Sequence, residues 1–197
     1  MNVRCPEGLL GFWIKSRMEK RQVSTMSADE IKSLITQLSN KYGDVREKAR
    51  LALVGIGKEA TTPLTEILAA QDQQTRWEAA KALGAIADPS SIPALIKILE
   101  DNVFDIRWLA AQALIAIGTE SIVPLLEALS KSSDELFLRE EAHHVIKYIF
   151  RDNPKAKELY DILKPVVDAL EGSVSRIETP GAARTVLEKL KRMKGTL

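Results

Sequence analysis

The sequence predicts an all-α protein, an α-solenoid of about five stacked antiparallel helix pairs, and three observations carry that prediction. The stretch Thr75–Ala87, TRWEAAKALGAIA, recurs in recognisable form as Val45–Gly57, Ile106–Gly118 and Leu138–Phe150. Its arginine falls at Arg46, Arg76, Arg107 and Arg139, at spacings of 30, 31 and 32 residues, and Pro63, Pro93 and Pro124 keep step with it. Strand signals are nearly absent. A period of that length, kept by an arginine and a proline together, means one supersecondary unit stacked on copies of itself.

Residues 1–26 carry no repeat. Within them Leu9-Leu-Gly-Phe-Trp-Ile14 precedes a basic run, and two readings fit: a loosely held extension, or an amphipathic helix for a membrane surface or a partner. Ser27-Ala-Asp-Glu30 reads as a capping box that satisfies free N–H groups at a helix start. The folded body is therefore expected to begin at Ser27, and Met26 is an alternative first residue.

Ile31, Leu34, Ile35 and Leu38 follow helical spacing, and Asn40–Gly43 supplies turn chemistry. Val45–Gly57 then gives the second helix of the first pair, with Val45, Ala49, Ala52, Leu53 and Ile56 on its core face. Thr62-Pro63 reads as an N-cap followed by proline at the first helical position, where the missing N–H costs nothing. Pro93 and Pro124 fall at matching places. The second helices are rich in alanine (Ala79, Ala80, Ala82; Ala110, Ala111, Ala113), which favours helix and lets neighbouring helices approach closely. Gly55 and Gly84 read as packing positions along the same helices.

The four repeats span residues 27–150, and residues 151–197 read as a degenerate capping repeat. There Asn153-Pro154 is expected to open a helix running to about Glu171. Thr179-Pro180 is expected to open another, with Thr179 where an arginine would sit.

With 45% apolar and 28% charged residues the chain has the composition of an ordinary soluble protein with enough apolar residues for a continuous core. The single cysteine, Cys5, excludes an intramolecular disulfide and a Cys-rich zinc site, which fits the cytoplasm. No uninterrupted apolar run approaches the ~20 residues that cross a bilayer, so no membrane span is expected. Net charge is +1, distributed as +3 over residues 1–26, −6 over residues 27–179 and +4 over residues 180–197. An acidic body with short basic ends is a poor electrostatic footprint for nucleic acid.

Val45-Arg46, Ile106-Arg107, the Ala-Ala pairs and Ala82-Leu83-Gly84-Ala85-Ile86 resemble HEAT-like repeats of the phycobilin-lyase type, strongly over residues 28–150 and weakly over 151–194. The resemblance implies that the second helices line a concave surface. It also implies that the repeated arginines are structural, hydrogen-bonding in the inter-helix turn near an aspartate such as Asp44 or Asp105. It does not imply lyase activity, because a fold is not a function.

Chemistry-bearing constellations are few. His143 and His144 are adjacent on a helix, so they point about 100° apart and cannot both face one ion; Glu140 with His144 makes two ligands, too few for a metal site. Similarity to HEAT-like deoxyhypusine hydroxylases would require His-Glu dipeptides, and the sequence has none. It contains no Gly-rich phosphate loop and no cysteine-nucleophile context, so no catalytic residue, cofactor or metal is expected.

The expected function is a non-enzymatic protein-binding scaffold or regulatory adaptor. A phycobilin-lyase-like chromophore handler is the alternative, and a nucleic-acid binder is third, on the faint likeness of Trp77 and Trp108 to the concave tryptophans of HEAT-like glycosylases. If Ala49 and Leu53 face the core, the residues one, five and nine places after each arginine face outward. These residues include Trp77, Lys81, Trp108, Gln112, Glu140, His144 and Tyr148, with Glu78 and Glu140 as an acidic rim. A protein partner with a basic or apolar segment is expected there.

Overall fold

The structure is a computed structural model that describes residues 27–131, 136–151, 157–172 and 175–194; the readings of residues 1–26 and of Asn153-Pro154 fall outside these. Among the described residues there are helices and no strands. The first pair is α1 (Ala28–Gln37) and α2 (Gly43–Ile56); the second is α3 (Thr61–Ile67) and α4 (Gln73–Ile86). The third is α5 (Ile92–Ile98) and α6 (Phe104–Ile117), the fourth α7 (Ile122–Lys131) and α8 (Leu136–Arg151), and α9 (Lys157–Glu171) with α10 (Ser175–Lys194) closes the array. The chain is an all-α solenoid.

The capping box opens α1 as the sequence predicts. The Ser27 backbone N–H donates to Glu30 Oε2 at 2.7 Å, and the Glu30 N–H donates to Ser27 Oγ at 3.2 Å. At the other pair starts the sequence reading needs correction. Short 3-10 turns, Gly57–Ala60, Pro89–Ser91 and Gly118–Ser121, lead into the first helices, so Pro93 is the second helical residue and Pro63 and Pro124 the third. Thr62 is therefore inside α3. All three prolines still lie in the first turn, where N–H groups lack intrahelical acceptors.

The core is one continuous strip of small and branched residues. Leu53, Ala79, Ala80, Leu83, Ala110, Ala111, Ala113 and Leu114 are fully inaccessible along the second helices, and Leu64, Leu95, Leu99, Leu125 and Leu126 along the first. Alanine allows the second helices to pack closely on one another, whereas the leucine-bearing first helices touch each other far less. The second helices therefore form the more closely packed row. Gly84 belongs to this seam, since a Cβ there would stand 3.4 Å from Ala113 Cβ. Gly55 does not: it is exposed and nothing lies within 4 Å of such an atom.

The stretch Phe104–Lys131 is long and apolar enough by length and composition to cross a membrane. It is not one rod, however. Gly118 adopts φ 87° and ψ −142°, a region closed to other residues, and ends α6 before the 3-10 turn that leads into α7. Ile106, Leu114, Leu125 and Leu126 are consumed in the core.

The terminal pair departs from a repeat. Helix α9 packs beside α8, joined by Phe150 and Tyr160 with ring centres 5.7 Å apart and by His143 and Glu171 at 3.0 Å. Helix α10 packs mainly on α7, and Arg184 donates to the Ser130 carbonyl at 3.0 Å. First and second helices have thus exchanged rows. Helix α10 begins at Ser175, ahead of Thr179-Pro180, and Thr179 is buried without taking the place of a repeat arginine.

Candidate functional site

Arg46, Arg76 and Arg107 each sit near the start of a second helix and fold back over their own hairpin, whereas Arg139 is buried with Nε and Nη1 unbonded. Arg46 Nη1 donates to the Asn40 and Lys41 carbonyls at 2.8 and 3.2 Å, Arg76 Nη1 to Ala70 and Gln71 at 2.9 Å each, and Arg107 Nη1 to Asp101 at 2.9 Å. These bonds satisfy carbonyls in the turns between the paired helices, where no helical N–H reaches them. The other side of each guanidinium reaches an acid in the following pair. Arg46 Nε bonds Glu78 at 3.2 Å, Arg76 binds Asp101 through Nε and Nη2 at 2.7 and 3.2 Å, and Arg107 Nε stands 3.7 Å from Glu141. The arginines are structural, as the resemblance implies, but their acids are not Asp44 or Asp105. Asp44 instead pairs with Lys48 at 3.5 Å.

The register explains which acid is used. Glu78 and Glu141 stand two residues after Arg76 and Arg139, on the side of a second helix that meets the preceding pair. Leu109 holds the same place after Arg107, so Arg76 turns to Asp101 in the hairpin. Glu78 was expected on an acidic rim and is instead only 4% exposed. Arg46, Arg50 at 2.9 Å and Gln74 at 3.3 Å enclose its carboxylate.

The remaining expected residues lie on the second helices, on the side away from the core. Trp108 is 45% exposed, Tyr148 is 37% exposed, and Glu140 is exposed. Trp77 is half-buried against the core, with Lys81 Nζ 4.5 Å from its ring centre. Gln112 and His144 meet at 3.1 Å between Nε2 atoms, and the His144 and Tyr148 rings stand 4.3 Å apart. Burial, and secondarily the neighbouring His143, holds the His144 imidazole below the usual histidine range. The neutral ring then accepts the Gln112 amide hydrogen at Nε2.

Sequence reasoning stopped one helical turn short. Phe104, 61% exposed, and Leu136, 54% exposed, precede Trp108 and Glu140 by four residues and extend the same rows. The signal was available: both lie three residues before a repeat arginine. Asp105 and Glu140 flank this apolar patch as exposed carboxylates, and neither forms an ion pair among the described residues. Nearer the N-terminal end, Gly43, Arg46, Arg50, Gln73, Trp77 and Lys81 help to line a cleft of about 440 Å³.

Residues 61–147 match the family model of HEAT repeats. Crystal structures of engineered proteins are similar at 24% identity: two over 85% of this chain and 85% and 87% of theirs, a third over 82% and 47%, each with a TM-score of 0.38. Among curated proteins, none matches.

Proposed function

Taking the chain as a carrier of HEAT-like repeats, we propose that it is a non-catalytic scaffold that binds a protein along the exposed face of its second helices. One observation carries the reading. Phe104 and Leu136 hold the same register position on two adjacent helices whose opposite faces are consumed in the core, Trp108 stands one turn after Phe104 and Tyr148 about three turns after Leu136, and all four are exposed. Large apolar side chains left exposed on one face mark an interaction surface, and aromatic side chains dominate binding energy at such surfaces. The unpaired carboxylates of Asp105 and Glu140 at its edges favour a partner segment that is apolar with flanking lysine or arginine. The single cysteine fits a cytoplasmic scaffold.

The test is affinity capture with the wild-type chain and with a Phe104→Ser/Trp108→Ser variant whose helical content matches wild type. A protein retained by the wild type should bind the variant at least ~2 kcal/mol more weakly. Equal retention by a folded variant removes this face from consideration.

A further inference from the structure

Building on the reading of the exposed face of the second helices as a protein-binding surface, we infer that the cleft between the first and second pairs recognises a carboxylate, taking an acidic side chain of the bound protein. The first observation is a break in the repeat. Four residues after the repeat arginine stand Ala80, Ala111 and His143 in the later pairs, whereas the first pair has Arg50. The turn-closing role belongs to Arg46, so a second guanidinium is not required by the repeat.

The second observation is where its donors go. Glu78 holds Arg50 through Nε and Arg46 through Nε, and Arg46 Nη1 is spent on turn carbonyls. Arg46 Nη2 forms no hydrogen bond among the described residues. It stands 3.6 Å from where a side chain on Gly43 would begin, and glycine leaves that approach open. Arg50 is 9% exposed, and its Nη1 is likewise unbonded; Nη2 forms an ion pair with the exposed Glu47 at 3.6 Å, beyond hydrogen-bond length. Neither arginine has a nitrogen that is both enclosed and unsatisfied, so the unused donors open toward the cleft.

The third observation is Lys81, whose ammonium lies over Trp77 and has no acid partner among the described residues. Two guanidinium edges and an ammonium thus converge beside an indole wall, and the one enclosed acid, Glu78, already has both oxygens engaged. Guanidinium edges match a carboxylate in geometry as well as charge. Glu47 and Asp105 line the cleft as exposed side chains, which favours a carboxylate with a cationic residue next to it over a polyanion.

The test uses the full chain and three small probes: N-acetyl-glutamate amide, its neutral glutamine counterpart and the lysine counterpart. Chemical shifts of the Arg50 Nε–H and the Trp77 indole N–H are followed by NMR during titration. The glutamate probe should move both signals saturably, and the glutamine probe should not. Lys81→Gln, which leaves the Glu78 bonds intact, should weaken the glutamate response by about threefold or more. No response to glutamate, an equal response to glutamine, or a stronger response to lysine overturns the inference. Because these probes do not touch Phe104 or Trp108, a failed cleft leaves the scaffold reading standing. Conversely, a responding cleft with unchanged capture by the Phe104/Trp108 variant refutes that reading alone.

Discussion

At the junction of the first and second pairs a single carboxylate, Glu78, is held by Arg50 and Arg46 at 2.9 and 3.2 Å, with Gln74 closing a third side. At the junction of the third and fourth pairs, Glu141 stands 3.7 Å from Arg107 and does not hydrogen-bond it. There the guanidinium lies 3.9 Å from the Phe137 ring centre instead. Both acids occupy the same register position and both are buried, yet one has strong counter-charges and the other does not. Burial consequently pushes the Glu141 carboxyl above its ordinary range, despite the opposing pull of Arg107. Repetition supplies the geometry of a junction, and the residues around it decide whether the charge there is stabilised.

The largest expected effect separates these two acids. Glu78→Gln removes the enclosed counter-charge that Arg46 and Arg50 share, leaving Arg50 only the exposed Glu47 at 3.6 Å, and should cost about 3–5 kcal/mol, whereas Glu141→Gln, which mimics a protonated acid, should cost less than ~1 kcal/mol. Urea denaturation of both variants checks this, and equal losses would erase the distinction. The pH dependence has a definite sign. A raised folded-state value means that the Glu141 contribution is complete below the ordinary 4.5 and is lost as pH rises through the folded value. Glu141→Gln should abolish that component.

A second contrast lies at the ends of the second helices, where Gly57, Ala87 and Gly118 hold one register position with φ 80°, 52° and 87°. Gly118→Ala should destabilise by about 1–3 kcal/mol, because its ψ of −142° is closed to a side chain. Ala87→Gly should instead be neutral or gain up to ~1 kcal/mol, since alanine there already carries left-handed strain. Thermal melts of the pair measure both.

The smallest effect concerns His144, which joins the third and fourth pairs through Gln112. Its imidazole should titrate by NMR below the ordinary 6.5, and its contribution to stability should be present above that value and fade as pH falls through the lowered one. A midpoint above 6.5 would mean that the ring is not shielded at this junction.

The terminal pair marks where periodicity stopped informing the sequence reading. Thr179 falls where a repeat arginine would sit, so the spacing reads α10 as another second helix, yet it lies on α7 and α9 lies on α8. Which row each of these two helices covers depends on how their apolar faces fit the preceding pair, and local spacing does not encode that choice. Glu78 shows the same limit at the site. A glutamate beside a tryptophan on a helix reads as solvent-facing until a second helix brings Arg46 and Arg50 onto it.

The sequence by itself determined the helices, their pairing, the buried alanine seam and the outward register of Trp108, Glu140 and Tyr148, because these follow from spacing along one chain. The tertiary structure alone decided which acid each arginine meets, how α9 and α10 close the array, and that Phe104 and Leu136 complete the exposed patch. These depend on distances between segments about 30 residues apart, which packing sets and no local pattern records.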